Sequence, residues 1–363
     1  MGTVLVISLL ISIFVTTQVL VSIDETTPLA SQALYSLTSV NVHNFRPDSD
    51  SEENDIPLLT LFTTFKETHN SAFHRVAHAH AVANWASLRP AVHVVLFAQF
   101  PYSNLSEMAT KAGWDLIQLK RWNDQGTPFL KDMFSTVFQR YNSTFYGFAN
   151  GDILFDDSLI ETLQEVKKRL KDALKNNALL IGSRTNMIFS VNDAIRTEFS
   201  KTNLASVTRK RGLLDGWFAQ DYFFFTRDSK LNWSSVADVV IGRPGYDNYL
   251  VAKSIYSKVN VIDATKTLLA VHLLEKGARE TGRSNPDSSY NLQLLGDVPF
   301  RKGLTIASQY VTTSDVIRRV FVARRMPPFQ YRLAHPDSDI TPPYLHDLRP
   351  SPAAKPDVTE GNK

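Results

Sequence analysis

Phe145-Tyr-Gly-Phe-Ala-Asn150-Gly151-Asp152-Ile-Leu-Phe-Asp-Asp-Ser-Leu159 is an aromatic and apolar run that ends in an Asn-Gly-Asp triplet and passes directly into a helical pattern. A buried strand that delivers a carboxylate at its C-terminal end is how open α/β sheets build ligand sites, and a glycine beside it lets a ligand approach the backbone. Asp152 is therefore the first residue that needs a chemical explanation.

Outward from this stretch, strand and helix periodicity alternate, the pattern of a mostly parallel sheet covered by helices. Ile56–Thr64 reads as the first strand, Ser71–Leu88 as an amphipathic helix, Val92–Ala98 as a second strand and Trp114–Leu119 as a third. Pro128–Tyr141 reads as a helix with proline at its start, where the missing amide costs nothing. A long helix is expected from Ser158 to about Asn176, then strands at Ala178–Gly182 and Tyr222–Thr226 and an edge segment at Thr267–Val271. No internal repeat is present.

With 363 residues and 43% hydrophobic side chains, the chain is long enough for one large core or two modest ones. Its 39 basic and 36 acidic residues are spread without a long block of one sign, so charge does not suggest nucleic acid. From Thr3 to Ile23 there is no charged residue, about the ~20 needed to cross a bilayer. Residues 1–23 thus read as a signal anchor or a cleaved signal peptide. Residues 24–56 are polar and acidic, a flexible stem, and residues 335–363 are rich in proline and charge, a disordered tail. The compact unit is expected over residues 57–334. Sequons at Asn104, Asn142 and Asn232 agree with a secretory route, and the absence of cysteine leaves the fold to be stabilised by its core alone.

Further motifs stand at the element junctions: Ala83-Asn-Trp85, Gly126-Thr-Pro128, Ile181-Gly-Ser-Arg184, Asp221-Tyr-Phe223, Ile241-Gly-Arg-Pro-Gly-Tyr-Asp-Asn248 and Val261-Ile-Asp-Ala264 leading to His272. With Asn150-Gly-Asp152 they span roughly residues 57–296. In this order they resemble the GT-A glycosyltransferases of the nucleotide-diphospho-sugar transferase superfamily, and most of all a group with an Asn-Gly/Ala-Asp triplet at the usual Asp-x-Asp position. The resemblance implies a Rossmann-like mixed, mostly parallel sheet flanked by helices, preceded by the N-terminal hydrophobic helix. It implies transfer of a sugar from a nucleotide-sugar donor to a hydroxyl on a glycan, protein or lipid. The domain would be lumenal, in the Golgi or endoplasmic reticulum membrane, or secreted if residues 1–23 are cleaved.

Under that resemblance, Asp152 holds a divalent cation, Mn²⁺ by expectation, with Asn150 as a neutral oxygen partner and His272 completing the shell. Such a cation would neutralise a departing diphosphate. Asp247, at the start of a helix over Tyr246–Tyr256 behind a turn stiffened by Pro244 and opened by Gly245, is the candidate base toward an acceptor hydroxyl. Asp221 is either an acceptor contact or a loop end. Arg184 is expected to hold phosphate or a nearby carboxylate, and Lys276 and Arg279 to close over the diphosphate. Thr63 and Thr64, ending the first strand, are placed near base and ribose.

Two departures from the family pattern stand in this chain: Asn150 replaces an aspartate, and Leu273-Leu-Glu-Lys-Gly277 follows His272. They support an alternative from another class, a non-catalytic lumenal binding or scaffold protein. A sugar-phosphate nucleotidyltransferase shares the sheet logic, but Phe65-Lys-Glu-Thr-His69 offers no Gly-rich basic loop after the first strand. The histidines at 69, 74, 78 and 80 read as a polar helix face rather than a zinc site, since no acidic or cysteine partner accompanies them at regular spacing.

Overall fold

The computed structural model describes residues 56–65, 71–100, 103–276, 285–296, 303–317 and 319–325. Residues 1–23, most of the 24–56 stem, His69, Arg279 and the 335–363 tail lie outside the described residues. Among the described residues no helix is long and apolar enough to cross a membrane.

In chain order the elements are β1 Leu59–Thr64, α1 Ala72–Ala86, β2 Val92–Ala98, α2 Asn104–Lys111, β3 Asp115–Gln118, α3 Leu130–Arg140, β4 Phe145–Ala149 and β5 Ile153–Phe155. Then come α4 Ser158–Leu170, β6 Ala178–Ile181, β7 Thr185–Phe189, α5 Val191–Arg196, α6 Leu204–Arg211, β8 Leu213–Leu214 and β9 Tyr222–Thr226. α7 Tyr246–Tyr256, β10 Asn260–Asp263, β11 Ala270–Glu275, α8 Tyr290–Leu295, β12 Tyr310–Ser314 and β13 Val320–Arg324 complete the set. Contacts group Met1–Ala323 as one compact unit and Arg324–Lys363 as a second, of which only Arg324 and Arg325 are described.

The expected α/β architecture is present. A nine-stranded sheet runs β13-β12-β10-β6-β9-β4-β1-β2-β3. β1 pairs in parallel with β2 and β4, β2 with β3, and β10 with β6 and β12, whereas β9 lies antiparallel between β4 and β6. Because side chains alternate across a strand, each central strand feeds two cores. Leu59, Leu61, Val92, Val94, Tyr222 and Phe224 pack with α1, α2 and α4 on one face. Phe62, Val95, Phe97, Phe223 and Phe225 pack with α3 and α7 on the other. Gly147 in β4 gives its place to a ring, since a Cβ there would come within 2.1 Å of Phe224.

A second sheet of four strands, β5-β11-β7-β8, stands beside the first. Its third hydrophobic cluster joins Phe73, Val76, Ala77 and Ala81 of α1 to Leu154, Met187 and Val271. β11 is an interior strand here, antiparallel to β5 and parallel to β7, rather than an edge. It starts at Ala270, later than the expected Thr267, because the Thr267 and Leu268 backbone N–H groups close a turn onto the Ala264 carbonyl at 3.0 and 2.9 Å.

α4 also ends at Leu170 instead of near Asn176. Beyond Leu170 the ladder widens, the Leu174 N–H reaching back to the Arg169 carbonyl at 3.1 Å and the Asn176 N–H to the Leu170 carbonyl at 2.7 Å, and Lys175 and Asn176 then take positive φ values of 51° and 52°. Asp156, rather than a residue inside α4, organises its entry by accepting from the Ser158 backbone N–H at 3.1 Å.

Candidate active site

Parallel strands and the reversed β9 bring four segments to one sheet edge: the ends of β1, β4 and β6 and the start of β9. Asn150 follows β4, and its backbone N–H donates to the Asp221 carbonyl at 3.0 Å. Its amide is committed at both ends. Nδ2 donates to Asp221 Oδ1 at 2.8 Å, and the Tyr246 hydroxyl donates to Oδ1 at 3.2 Å. The expectation that Asn150 supplies a free neutral oxygen to a cation is thus met by a different arrangement, in which that oxygen already accepts a hydrogen bond.

Asp152 immediately precedes β5, and the pairing of β5 with β11 sets His272 opposite Ile153. His272 Nε2 lies 3.2 Å from Asp152 Oδ2, while Nδ1 lies 3.2 Å from Asn186 Oδ1. The Asn186 amide is oriented by donating through Nδ2 to Asp215 Oδ2 at 2.9 Å. Both imidazole nitrogens therefore face oxygen atoms. A neutral ring can donate to only one of them. If Nδ1–H donates to Asn186, the Nε2 lone pair is directed at the Asp152 carboxylate, an arrangement that a cation between them would reconcile.

The other carboxylate oxygen, Asp152 Oδ1, is buried with no hydrogen-bond partner. Burial alone would raise the Asp152 carboxyl. The attraction and hydrogen bond of His272, with the nearby His78 and Arg184, outweigh it and hold the group well below the usual carboxylate range. An ionised carboxylate with an unpartnered oxygen, next to an oriented imidazole, fits a divalent cation. Among the described residues no group of three or more His, Asp or Glu side chains is arranged to hold a metal. At this sheet edge Asp152 and His272 form a His–carboxylate pair that could contribute two ligands.

Arg184 follows β6 and joins two carboxylates, with Nη1 on Asp221 Oδ2 at 2.5 Å and Nε on Asp215 Oδ2 at 3.1 Å. Of the two roles expected for Arg184, the carboxylate partner is the one visible. Burial would lower its guanidinium, but Asp221, Asp215 and Asp152 raise it further above its ordinary value. Both Asp221 oxygens are consequently occupied, one by Asn150 and one by Arg184.

Asp247 begins α7 as expected, behind Gly245 at φ 93°, a left-handed turn that suits glycine. Burial and the facing Asp221 raise the Asp247 carboxyl to about 7, although the Asn248 backbone N–H bond and Arg184 oppose the shift. A carboxyl poised there exchanges protons at neutral pH.

Several expectations are modified. Gly151 was expected to open the backbone to a ligand, but that space holds a side chain: a Cβ would meet Phe65 at 2.7 Å and the Thr64 carbonyl at 3.3 Å. Thr63 is fully buried in β1, leaving the partly buried Thr64 as the more accessible of the pair. Lys276 ends the small sheet, exposed, with its N–H on the Phe189 carbonyl at 2.7 Å. His78 is no part of a polar face. It is 6% exposed, stacks on Phe65 at 4.7 Å, and its imidazole is pushed down to about 4 by burial, against the raising effect of Asp152. The sequon residues Asn104, Asn142 and Asn232 are exposed.

Sequence reasoning missed Asn186, Asp215 and Tyr246, which link the expected residues into one network. Tyr246 stood in the Ile241–Asn248 motif without a role, and Asp215-Gly216 showed only as a turn signal after two leucines.

No family model matches the chain, and no curated protein matches it. Among solved structures, one described as the crystal structure of a mycobacterial protein is similar over 61% of this chain and 67% of that one, at 12% identity and a TM-score of 0.31. A likeness that low leaves activity to be argued from the residues.

Proposed function

We propose that the chain is a glycosyltransferase of the GT-A kind, moving a sugar from a nucleotide-sugar donor to a hydroxyl acceptor. The observation that carries this reading is the network at one sheet edge. It runs Asp152–His272–Asn186–Asp215–Arg184–Asp221–Asn150–Tyr246, and joins residues up to 122 positions apart in a chain whose motif order resembles that superfamily.

Asp152 and His272 would hold a divalent cation, which would supply charge neutralisation to a departing diphosphate. Asn186 keeps the His272 ring oriented, and Asp215 keeps Asn186 oriented. Arg184 is tied to Asp215 and Asp221 and so fixes the rim of the site instead of reaching freely for phosphate. Asp247 takes the proton of the acceptor hydroxyl as it attacks the anomeric carbon, if the reaction inverts; a carboxyl near 7 suits that task at neutral pH.

The alternative, a non-catalytic binding protein on the same fold, draws support from Asn150, whose amide is spent within the protein. The discriminating experiment offers the full chain a panel of nucleotide sugars with and without Mn²⁺. Turnover that requires Mn²⁺ and disappears in Asp152→Ala supports transfer. Nucleotide-sugar binding without turnover, unaltered by Asp152→Ala, supports the alternative. A folded chain that neither binds nor turns over any nucleotide sugar sinks the glycosyltransferase reading.

A further inference from the structure

The edge of the small sheet carries a surface that the proposed chemistry does not use. α6 is anchored through buried Leu204 and Thr208 and ends in Arg209, Lys210 and Arg211, all exposed. At Gly212 the chain turns tightly, since a Cβ there would meet Thr208 at 2.6 Å and Thr185 at 2.7 Å. The two-residue strand β8 follows at once. Leu213 and Leu214 are 67% and 61% exposed, and Phe218, shortly after, is 54% exposed.

β8 is the outermost strand of its sheet, paired with β7 on one side only. Arg211 sits over the ring of Phe189, at the end of β7, at 5.3 Å. From Arg209 to Phe218 the only anion is Asp215, and its charge is spent on Arg184 and Asn186. The segment from Arg209 to Phe218 therefore carries three exposed cations next to three exposed large apolar side chains.

Two leucines more than half exposed on an edge strand, with a similarly exposed phenylalanine close behind, are unfavourable in water and mark an interaction site. A protein partner would account for the leucines and the phenylalanine but gives no reason for a triple cation directly beside them. An anionic lipid surface accounts for both, because headgroups attract Arg and Lys while the apolar side chains enter the interface. We propose that Arg209–Phe218 docks the folded domain onto an anionic phospholipid bilayer, with the cations at the headgroups and Leu213, Leu214 and Phe218 inserted. Asp215 belongs both to this segment and to the Arg184 pair, so the docked edge is continuous with the Asp152 network. The inference does not depend on the glycosyltransferase reading.

The chain has no cysteine, so Leu214→Cys gives a single labelling position. A fluorophore there is read in the full chain with vesicles of phosphatidylcholine alone or mixed with phosphatidylserine, each containing brominated lipid as quencher. Lys168→Cys on α4 gives a control label. The expected result is quenching at position 214 with phosphatidylserine present, little with phosphatidylcholine alone, and none at position 168. Arg209→Gln with Lys210→Gln should lower the docked-to-undocked ratio about 25-fold, at roughly a factor of five per cation. If that double variant does not fold, high salt performs the same test on the unaltered chain. Equal quenching on both vesicles, absence of quenching, or shielding that rises with protein concentration before lipid is added overturns the proposal, the last in favour of a second copy of the chain.

Discussion

Replacing Asp247 with asparagine should make the protein more stable above neutral pH and leave it unchanged in acid. The Asp247 carboxyl stands at about 7 in the folded chain, mainly through burial and with Asp221 facing it. Unfolded, it returns to about 3.9. Between these values the folded state binds the proton that the unfolded state has released, so stability falls as pH rises. The contribution is complete below the unfolded value and has been lost once pH passes the folded one.

Three units correspond to about 4 kcal/mol. Asp247 is only half-buried, and solvent screening reduces this to roughly 2 kcal/mol. Asparagine cannot ionise and escapes the penalty. The difference between Asp247→Asn and the parent should be near zero at pH 4, grow through pH 5 and 6, and level off above pH 7, a gain of about 5 °C in melting temperature. Melting of the full chain in mild detergent, followed by tryptophan fluorescence across this range, measures it. A difference that stays flat with pH, or one that favours the parent in base, would show that Asp247 is ionised at ordinary carboxylate pH and would remove the case for it as a base near neutrality.

Asn84→Ala should cost about 3 kcal/mol in urea unfolding with an unchanged m-value, because Asn84 holds both the N–H and the carbonyl of Phe155 at 2.8 Å and leaves two buried backbone groups unpaired when truncated. Gly147→Ala should destabilise by about 3 kcal/mol or more, since the Phe224 ring has no room to yield in a fully buried strand, and a loss under ~1 kcal/mol would contradict the packing. Arg184→Gln should cost roughly 3 kcal/mol by leaving the buried Asp221 without its charged partner, a loss that Asp221→Asn in the same chain should partly restore. If the chain transfers sugar, Asp152→Asn should lower kcat/KM at least ~100-fold, whereas a fall of a few-fold would place the chemistry elsewhere.

Much of the frame was legible locally. The alternation of Leu59, Leu61 and Phe62, the run Val92–Ala98 and the turn at Gly245 each declare an element by period or by a residue with special backbone freedom, and α7 was expected over the span it occupies. Asp152 was legible for the same reason, as a carboxylate at the end of an apolar strand. His78 was not, because a histidine on a helix reads as polar until Phe65 and the small sheet cover it. The end of α4 was not, because helix-forming residues run past the point where Lys175 and Asn176 turn left-handed.

By itself the sequence determined that this is an α/β chain with a carboxylate offered at a sheet edge, since strand and helix periods and strand-end residues are local properties. That His272 meets Asp152 across 120 positions, that Asn186 and Asp215 orient it, and that Asn150 is spent on Asp221 and Tyr246 were decided only by the tertiary structure. The reason is physical. Which strand pairs with which, and in what register, depends on how distant segments share a core, and one residue of slip in β11 would turn His272 to the opposite face and leave Asp152 without its partner.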